Sequence, residues 1–242
     1  MQQININQLE YSLLGDGNSN VVFINGFRMN FNSWDRIYKE ISRDFKIFLF
    51  NRHGVGKSSK ATINQSGMVI VNELIELLLK LEIKPPYLLI AHSLGGIYAN
   101  LFARTYPEYV SGIIFVDAPH PLEIVKQKEF KLPFMLHSIN EGVKSIEKLF
   151  DKFKYSEDEC IQETLYQLDS SASFPNIPIA VVSGSKKMPF IPKELFDIHQ
   201  SFQKKLLDLS KYSKQYFCKK SGHFPQITDP EILIKVILDT LK

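Results

Sequence analysis

The sequence predicts an α/β fold in which a mostly parallel, doubly wound sheet of about eight strands carries helices on both faces. Three observations support this prediction. Short runs of β-branched and aromatic residues recur along the chain, helical patterns lie between most of them, and most of the runs are almost continuously apolar, as strands covered on both faces must be. At 242 residues the chain has the length of one such domain, so we expect residues 1–242 to form a single unit.

The first two strands are expected at residues 4–6 and 9–13, where apolar and polar residues alternate. This alternation is typical of an exposed antiparallel hairpin at a sheet edge. The other six strands are expected in apolar runs at residues 21–24, 47–50, 87–90, 113–116, 179–182 and 215–217.

Helical patterns separate these strands, at residues 33–42, 66–81, 94–106, 192–209 and 230–241. The last helix has the clearest start signal. Asp229 is suited to the N-cap, Pro230 to the first helical position, and Glu231 to the positive end of the helix dipole.

The segment 119–176, which follows the sixth predicted strand, contains no strand-like run. Helical patterns lie near residues 121–130, 142–153 and 157–168, and we interpret the segment as a helical cap inserted into the sheet domain. Aromatic residues such as Phe134 make it apolar enough to line a pocket. A helix pair packed on the core explains each of these residues equally well.

Composition excludes several classes of function. With 29 Lys and Arg against 26 Asp and Glu, and with the lysines dispersed, no face is basic enough to indicate a nucleic-acid partner. Cys160 and Cys218 have no metal-ligand spacing, so no zinc site is expected. The first residues lack the pattern of a secretion signal, and the apolar stretch 74–81 is too short to span a bilayer, which favours a cytoplasmic protein.

Ser93 stands on a predicted tight turn between a strand and a helix, in the segment Ala-His-Ser-Leu-Gly-Gly at 91–96. Such a turn exposes the serine oxygen and places free helix N–H groups beneath it, which suits a nucleophile. Small residues around a serine also occur where a helix packs tightly on a strand. The interpretation therefore depends on finding a base for the serine.

His223 is the best candidate among the six histidines, because it lies between the last predicted strand and the last helix. In a parallel sheet, loops of this kind emerge at the same edge as the turn that carries Ser93. His92 is expected to point away from its neighbour Ser93. His199 is predicted on an amphipathic helix, without an identified partner.

Four segments, in this order along the chain, resemble the α/β-hydrolase fold family of serine hydrolases. Asn-Gly-Phe at 25–27 resembles its oxyanion turn, and Asn-Arg-His-Gly-Val-Gly-Lys-Ser at 51–58 is similar to its glycine loop. Ala-His-Ser-Leu-Gly at 91–95 matches its nucleophile elbow, with Ala where Gly is usual, and Gly-His-Phe at 222–224 matches its histidine region. A phosphate-binding loop at 51–58 is excluded, because Asn51 stands where that motif needs glycine.

The resemblance implies an oxyanion hole formed by the backbone N–H groups of Phe27 and Leu94. The usual place for the acid, at residues 183–190, contains no carboxylate. Asp117 follows the sixth strand, like the acid of some haloalkane dehalogenases of this fold, and we assign it this role. Alternatively, Asp117 only satisfies loop N–H groups, and Glu194 or Asp197 is the acid.

We therefore expect a serine hydrolase that cleaves ester bonds of a small or medium, partly hydrophobic molecule, with Ser93, His223 and Asp117 as catalytic residues and with neither a metal nor an organic cofactor. The expected substrate pocket includes Asn25, His120, Phe134 and Phe224. The same fold also hosts amidases, iminopeptidases, C–C hydrolases, thioesterases, acyltransferases and non-catalytic small-molecule receptors, and these alternatives remain open.

Overall fold

Seven strands form one sheet in the computed structural model, which describes residues 8–129, 141–189 and 191–241. The spatial order is β1-β3-β2-β4-β5-β6-β7, and only β1 runs antiparallel to its neighbour. The predicted α/β class with a mostly parallel sheet is confirmed. The strands are β1 Tyr11–Leu14, β2 Asn20–Ile24, β3 Lys46–Phe50, β4 Tyr87–His92, β5 Val110–Val116, β6 Ile179–Gly184 and β7 Ser213–Cys218.

The central strands are apolar because both of their faces are covered. All residues of β4 and β6 are buried, and the side chains of the sheet divide into two hydrophobic clusters, one on each face. The edge strands β1 and β7 are more exposed. Residues 4–6, predicted as the first of the eight strands, lie outside the described residues.

Helices cover both faces of this sheet. The first and last helices pack with the cluster around Trp34, and α2, α3 and α7 pack on the opposite face. Short 3-10 helices occur at Phe31–Trp34, Pro107–Tyr109 and Leu206–Leu209. The α-helices are α1 Asp35–Ile41, α2 Gly67–Lys80, α3 Gly95–Thr105, α4 Pro121–Glu129, α5 Glu141–Phe150, α6 Ser156–Glu159, α7 Ile161–Asp169, α8 Lys193–Lys205, α9 Pro225–Thr228 and α10 Pro230–Thr240.

The start of α10 differs from the prediction in one detail. The helix begins at Pro230 after Asp229, but the Asp229 carboxylate makes no capping hydrogen bond to the first turn. Its Oδ2 instead accepts from the Lys220 amide at 3.4 Å, so this side chain stabilises the loop after β7.

Between β5 and β6 the described residues form α4 to α7 and contain no strand. Phe134 belongs to residues 130–140, which lie outside the described part of the chain. None of the described helices is both long and apolar enough to cross a lipid bilayer.

Candidate active site

Three polar side chains meet at the carboxyl edge of the sheet. His223 Nε2 lies 3.0 Å from Ser93 Oγ, and His223 Nδ1 lies 2.8 Å from Asp117 Oδ2. These residues follow β4, β5 and β7, and loops that follow parallel strands converge at one edge. The result is a hydrogen-bonded chain from a hydroxyl through an imidazole to a carboxylate.

Ser93 is held in a strained turn directly after β4. Its φ is +50°, a conformation that residues with a Cβ adopt rarely. The Ser93 amide donates to Val116 O at 3.1 Å, and α3 then begins at Gly95. A Cβ on Gly95 would lie 2.5 Å from Ile24 O, so only glycine allows this helix to start so close to β2.

Asp117 is 3 % exposed and also has a positive φ, +45°, which aspartate tolerates better than most residues. Its Oδ1 accepts from the Gly184 amide at 2.9 Å. Burial by itself raises the pKa of this carboxyl, but the charge of His199, 3.3 Å from Oδ1, and the hydrogen bond from His223 outweigh it and hold the pKa well below its ordinary value. Asp117 is therefore ionised across the neutral range.

The two other carboxylates considered from the sequence lie away from His223. Glu194 is exposed in the first turn of α8, and Asp197 forms a surface ion pair with Lys193 on the same helix. Of the three acids, only Asp117 is within hydrogen-bond distance of His223.

The loops after β6 and β7 contact each other through their backbones, and these contacts fix the position of His223. The Lys186 amide donates to Ser221 O at 2.8 Å. A Cβ on Gly184 would lie 1.9 Å from Gly222 O, which shows how closely the two backbones approach. Because Gly184 also donates to Asp117, one loop aligns both the acid and the histidine.

The turn at residues 25–27 packs against Ser93, since a Cβ on Gly26 would lie 3.2 Å from Ser93 Cβ. Asn25 is buried and anchors the turn: its Oδ1 accepts from Trp34 Nε1 at 2.7 Å, and its Nδ2 donates to Phe50 O at 2.9 Å. Within the described chain, the Phe27 and Leu94 amides donate no hydrogen bond to another backbone group. Neither residue is among those that line the cavity described below, so the role of these two amides as an oxyanion hole stays a prediction.

Arg52 stabilises the turn at residues 25–27 by binding its carbonyl groups, a role that the sequence did not indicate. It is 3 % exposed, and it donates to Asn25 O at 2.8 Å and to Gly26 O at 2.9 Å. The same guanidinium binds both Glu157 carboxylate oxygens at 2.8 Å. A bidentate buried ion pair thus connects the turn with α6.

His199 is the second residue that sequence reasoning missed. Its Nδ1 lies 2.7 Å from Glu123 Oε1, and its Nε2 lies 3.3 Å from Asp117 Oδ1. Burial alone lowers the pKa of this imidazole, but the two carboxylates raise it well above its ordinary value. One signal was present in the sequence: His199 lies four positions after Leu195 on the predicted helix, so it shares a face with an apolar residue. The structure shows that this face is turned inward, with Leu195 and Gln203 buried.

His92 lies beneath the site, not in the chain from Ser93 to Asp117. Its Nε2–H donates to His223 O at 2.7 Å, while its Nδ1 is buried without a partner among the described residues. Burial, together with the nearby His223, lowers the pKa of His92 to about 3. His92 is therefore neutral and supports the backbone of His223.

The burial of His92 is expected to make the folded protein less stable in acid. The unfolded chain binds a proton to His92 near pH 6.5 and the folded chain does so near 3, so stability due to His92 falls as the pH drops below about 6.5. From pH 7 to pH 5, we expect the free energy of unfolding of the wild type to fall by about 2 kcal/mol relative to His92→Gln. Urea unfolding at the two pH values measures the difference, and parallel losses in both proteins would contradict the expectation.

A cavity opens beside the hydrogen-bonded chain, with a volume of roughly 690 Å³ including the part that merges with solvent. Ser93, Asp117, His199 and His223 line its floor, and Met188, Ile191, Leu195 and Phe196 provide most of its apolar wall. The polar side chains of Glu123 and Gln127 reach it from α4. Within the described part of the chain, no cluster of three or more His, Cys, Asp or Glu side chains is arranged to bind a metal ion.

The other residues expected in a pocket do not line this cavity. Asn25 is buried in the turn before Phe27, and the His120 ring stacks on Phe202 with centroids 5.6 Å apart. Phe224 packs edge-on against the His223 ring at 5.0 Å. All three residues therefore have structural partners and stabilise the loops around the site, but they do not contact the cavity.

Comparisons with known proteins agree with the fold. The family model described as "alpha/beta hydrolase fold" matches residues 20–141. The uncharacterized protein YqjL of Bacillus subtilis is 25% identical over 228 residues, covering 93% of this chain and 84% of YqjL, whereas the next two curated relatives are matched over only 33% and 36% of their lengths. Pimeloyl-(acyl-carrier protein) methyl ester esterase of Yersinia enterocolitica is 26% identical over 46% of this chain and 41% of that enzyme.

Among solved structures, the enol-lactonase from Burkholderia xenovorans LB400 superposes with a TM-score of 0.67 at 15% identity, covering 99% of each chain. At this identity the likeness shows the fold alone. The family model spans half of the chain, including β2 to β5 and the Ser93 turn. The chain belongs to the α/β-hydrolase fold family.

Proposed function

We propose that this protein is a serine hydrolase that cleaves ester bonds of small or medium, partly hydrophobic substrates through an acyl-enzyme on Ser93. The observation that carries the proposal is the hydrogen-bonded chain, with 3.0 Å from Ser93 Oγ to His223 Nε2 and 2.8 Å from His223 Nδ1 to Asp117 Oδ2. A serine hydroxyl becomes nucleophilic when a base accepts its proton and a third group fixes the tautomer of that base.

In the first half of the reaction, Ser93 Oγ attacks the ester carbonyl while its proton moves to His223 Nε2. The carbonyl oxygen becomes an oxyanion, which the amides of Phe27 and Leu94 stabilise. His223 then gives the proton to the departing alkoxide, and the acyl group stays on Ser93. Asp117 keeps Nδ1 as the protonated nitrogen and stabilises the imidazolium in between.

In the second half, water replaces the alcohol. His223 accepts a proton from the water as its oxygen attacks the acyl carbon, and the same two amides stabilise the second oxyanion. Collapse of this intermediate releases the carboxylic acid and returns the proton to Ser93. Apart from the substrate and this solvent water, every group used in these steps belongs to the chain.

The cavity supports a partly hydrophobic substrate, because its apolar wall of Met188, Ile191, Leu195 and Phe196 is next to Ser93. The segment 119–176 would act as a cap, since α4 contributes Glu123 and Gln127 to this cavity and α6 is tied to the turn at residues 25–27. An ester substrate is also in keeping with the Yersinia enterocolitica relative named as a methyl ester esterase.

Labelling with a fluorophosphonate tests the proposal, because this probe phosphonylates a serine that is activated by a base. We expect the wild type to carry one adduct, located on Ser93 by peptide mass spectrometry, and Ser93→Ala to carry none. Ser185→Ala is a matched control, as Ser185 is an exposed residue in the loop after β6, and it should label like the wild type. A wild type that does not label would overturn the proposal and favour a binding protein that retains the fold.

A further inference from the structure

Asp117 is contacted by histidines on both sides. His223 Nδ1 lies 2.8 Å from Oδ2, and His199 Nε2 lies 3.3 Å from Oδ1. The His199 contact is poorly aligned for a hydrogen bond, so its effect on Asp117 is chiefly electrostatic. The mechanism described above uses only the first of the two histidines.

Glu123 completes a second buried chain on the far side of His199. It is 1 % exposed, and its Oε1 accepts from His199 Nδ1 at 2.7 Å and from Gln127 Nε2 at 2.8 Å. Its Oε2 accepts from the His120 amide at 3.3 Å. A carboxylate buried this completely needs a positive partner, and His199 is the cation beside it.

We propose that His199 is a positioning residue, whose imidazolium, held between Asp117 and Glu123, balances the negative charge around Asp117 and so sets the pH range over which His223 can act as a base. The inference rests on the proposed function, since it assigns His223 the role of base.

The charges explain why both residues are needed. Glu123, His199 and Asp117 together carry a net charge of about −1 at neutral pH. Without the charge on His199, two carboxylates face His223 and favour its protonated, inactive form. Without the charge on Glu123, Asp117 still holds the proton on His199, because its charge is the stronger of the two acting on that imidazole. The protonated His199 then cancels Asp117, and the net attraction for a proton on His223 is lost.

Other titratable groups lie around Glu123, His199 and Asp117. Substitutions of Glu123 and His199 leave these other groups in place. Lys186 lines the same cavity from the loop after β6, and His120 lies at the start of α4. His92 and the Cys218 thiol lie close enough for the charge of Asp117 to affect them. None of them separates Glu123 from His199 or His199 from Asp117.

The pH dependence of kcat/KM for p-nitrophenyl butyrate tests the inference in four proteins: the wild type, His199→Gln, Glu123→Gln and the double variant. On the acidic side of the profile, kcat/KM falls as the pH decreases. We expect this fall to shift to higher pH by about half a pH unit to one pH unit in His199→Gln, and to lower pH by a similar amount in Glu123→Gln. In the double variant the fall should return to the wild-type position. Shifts in the same direction, or losses of kcat without a shift, would overturn the inference in favour of a packing role.

Asp197→Asn is the matched control, because it removes one negative charge from the exposed face of the same helix. Its fall in kcat/KM on the acidic side should coincide with that of the wild type.

A second measurement keeps the inference separate from the proposed function. The ring protons of His199, followed by NMR in the wild-type protein, should show a protonated imidazole at pH 7.5. A neutral His199 at that pH would overturn the inference whatever the activity. Failure of the wild type both to hydrolyse esters and to label with a fluorophosphonate would instead refute the proposed function.

Discussion

Replacing Asp117 with asparagine is expected to lower kcat for a short-chain aryl ester about 10⁴-fold, the loss known for this change in a serine protease triad. The Asp117 backbone has a φ of +45°, which asparagine also tolerates, and the new side chain keeps the volume of the old one. The Gly184 amide, which donates to Oδ1 at 2.9 Å, can still donate to the amide oxygen of asparagine. In that orientation the asparagine NH₂ faces His223.

The loss arises from the tautomer of the histidine. An NH₂ group opposite Nδ1 is a donor, so it favours the form of His223 whose Nε2 carries the proton. That nitrogen lies 3.0 Å from Ser93 Oγ and can then no longer accept the serine proton. The effect should appear in kcat, because the base fails in the transition state, and much less in substrate binding.

Two matched carboxylates provide the control. Glu194→Gln and Asp197→Asn alter exposed acids on α8 that make no hydrogen bond to His223, so they should change the rate less than twofold. Their effect on stability should also be small, as for most surface substitutions. Steady-state rates and circular dichroism of all four proteins check the expectation. An Asp117→Asn protein that is folded and works at close to the wild-type rate would show that another group orients His223.

The parts of the fold and site that could be predicted from sequence are those that depend on local pattern and strand order. Apolar runs indicated the strands, and their order placed the loops of Ser93, Asp117 and His223 at one edge of the sheet. The Asn-Gly-Phe segment at 25–27 indicated a turn, which the structure packs against Ser93.

The contacts that could not be predicted join residues far apart in the chain. His199 and Glu123 are separated by 76 positions, and Arg52 and Glu157 by 105, so no local pattern relates them. A charged residue on a helix is usually solvated, and only the packing of α4 and α6 shows that these two glutamates are buried. Asp229 was misjudged for a related reason: the nearby loop offered its carboxylate a Lys220 amide instead of the helix N-terminus.

The ion pair between Arg52 and Glu157 is expected to dominate the stability of the region around the turn at residues 25–27. Removing one partner of a buried pair leaves the other charge desolvated, and the usual loss is about 3–5 kcal/mol in the free energy of unfolding. We expect this loss for Glu157→Gln, because Arg52 is 3 % exposed and both of its bonds to Glu157 are 2.8 Å long. Urea denaturation measures it.

The exposed pair between Lys193 and Asp197 is the matched control for burial. Asp197→Asn breaks an ion pair between side chains that are 75% and 54% exposed, and the expected change is below about 1 kcal/mol. If Glu157→Gln also lost less than about 1 kcal/mol, the desolvated charge on Arg52 would not be the cause of instability.

A double substitution separates the stabilising role of the pair from its role in holding the turn. Replacing both partners, as in Arg52→Met with Glu157→Leu, removes both charges, and such changes often restore stability. The carbonyls of Asn25 and Gly26 still lose the guanidinium that donates to them at 2.8 and 2.9 Å. This turn carries the Phe27 amide, the proposed oxyanion donor, and small displacements of such a donor are costly. The double variant should therefore remain folded yet hydrolyse esters on the order of 10²-fold more slowly. Full activity in the double variant would show that Arg52 stabilises the fold without aligning the turn.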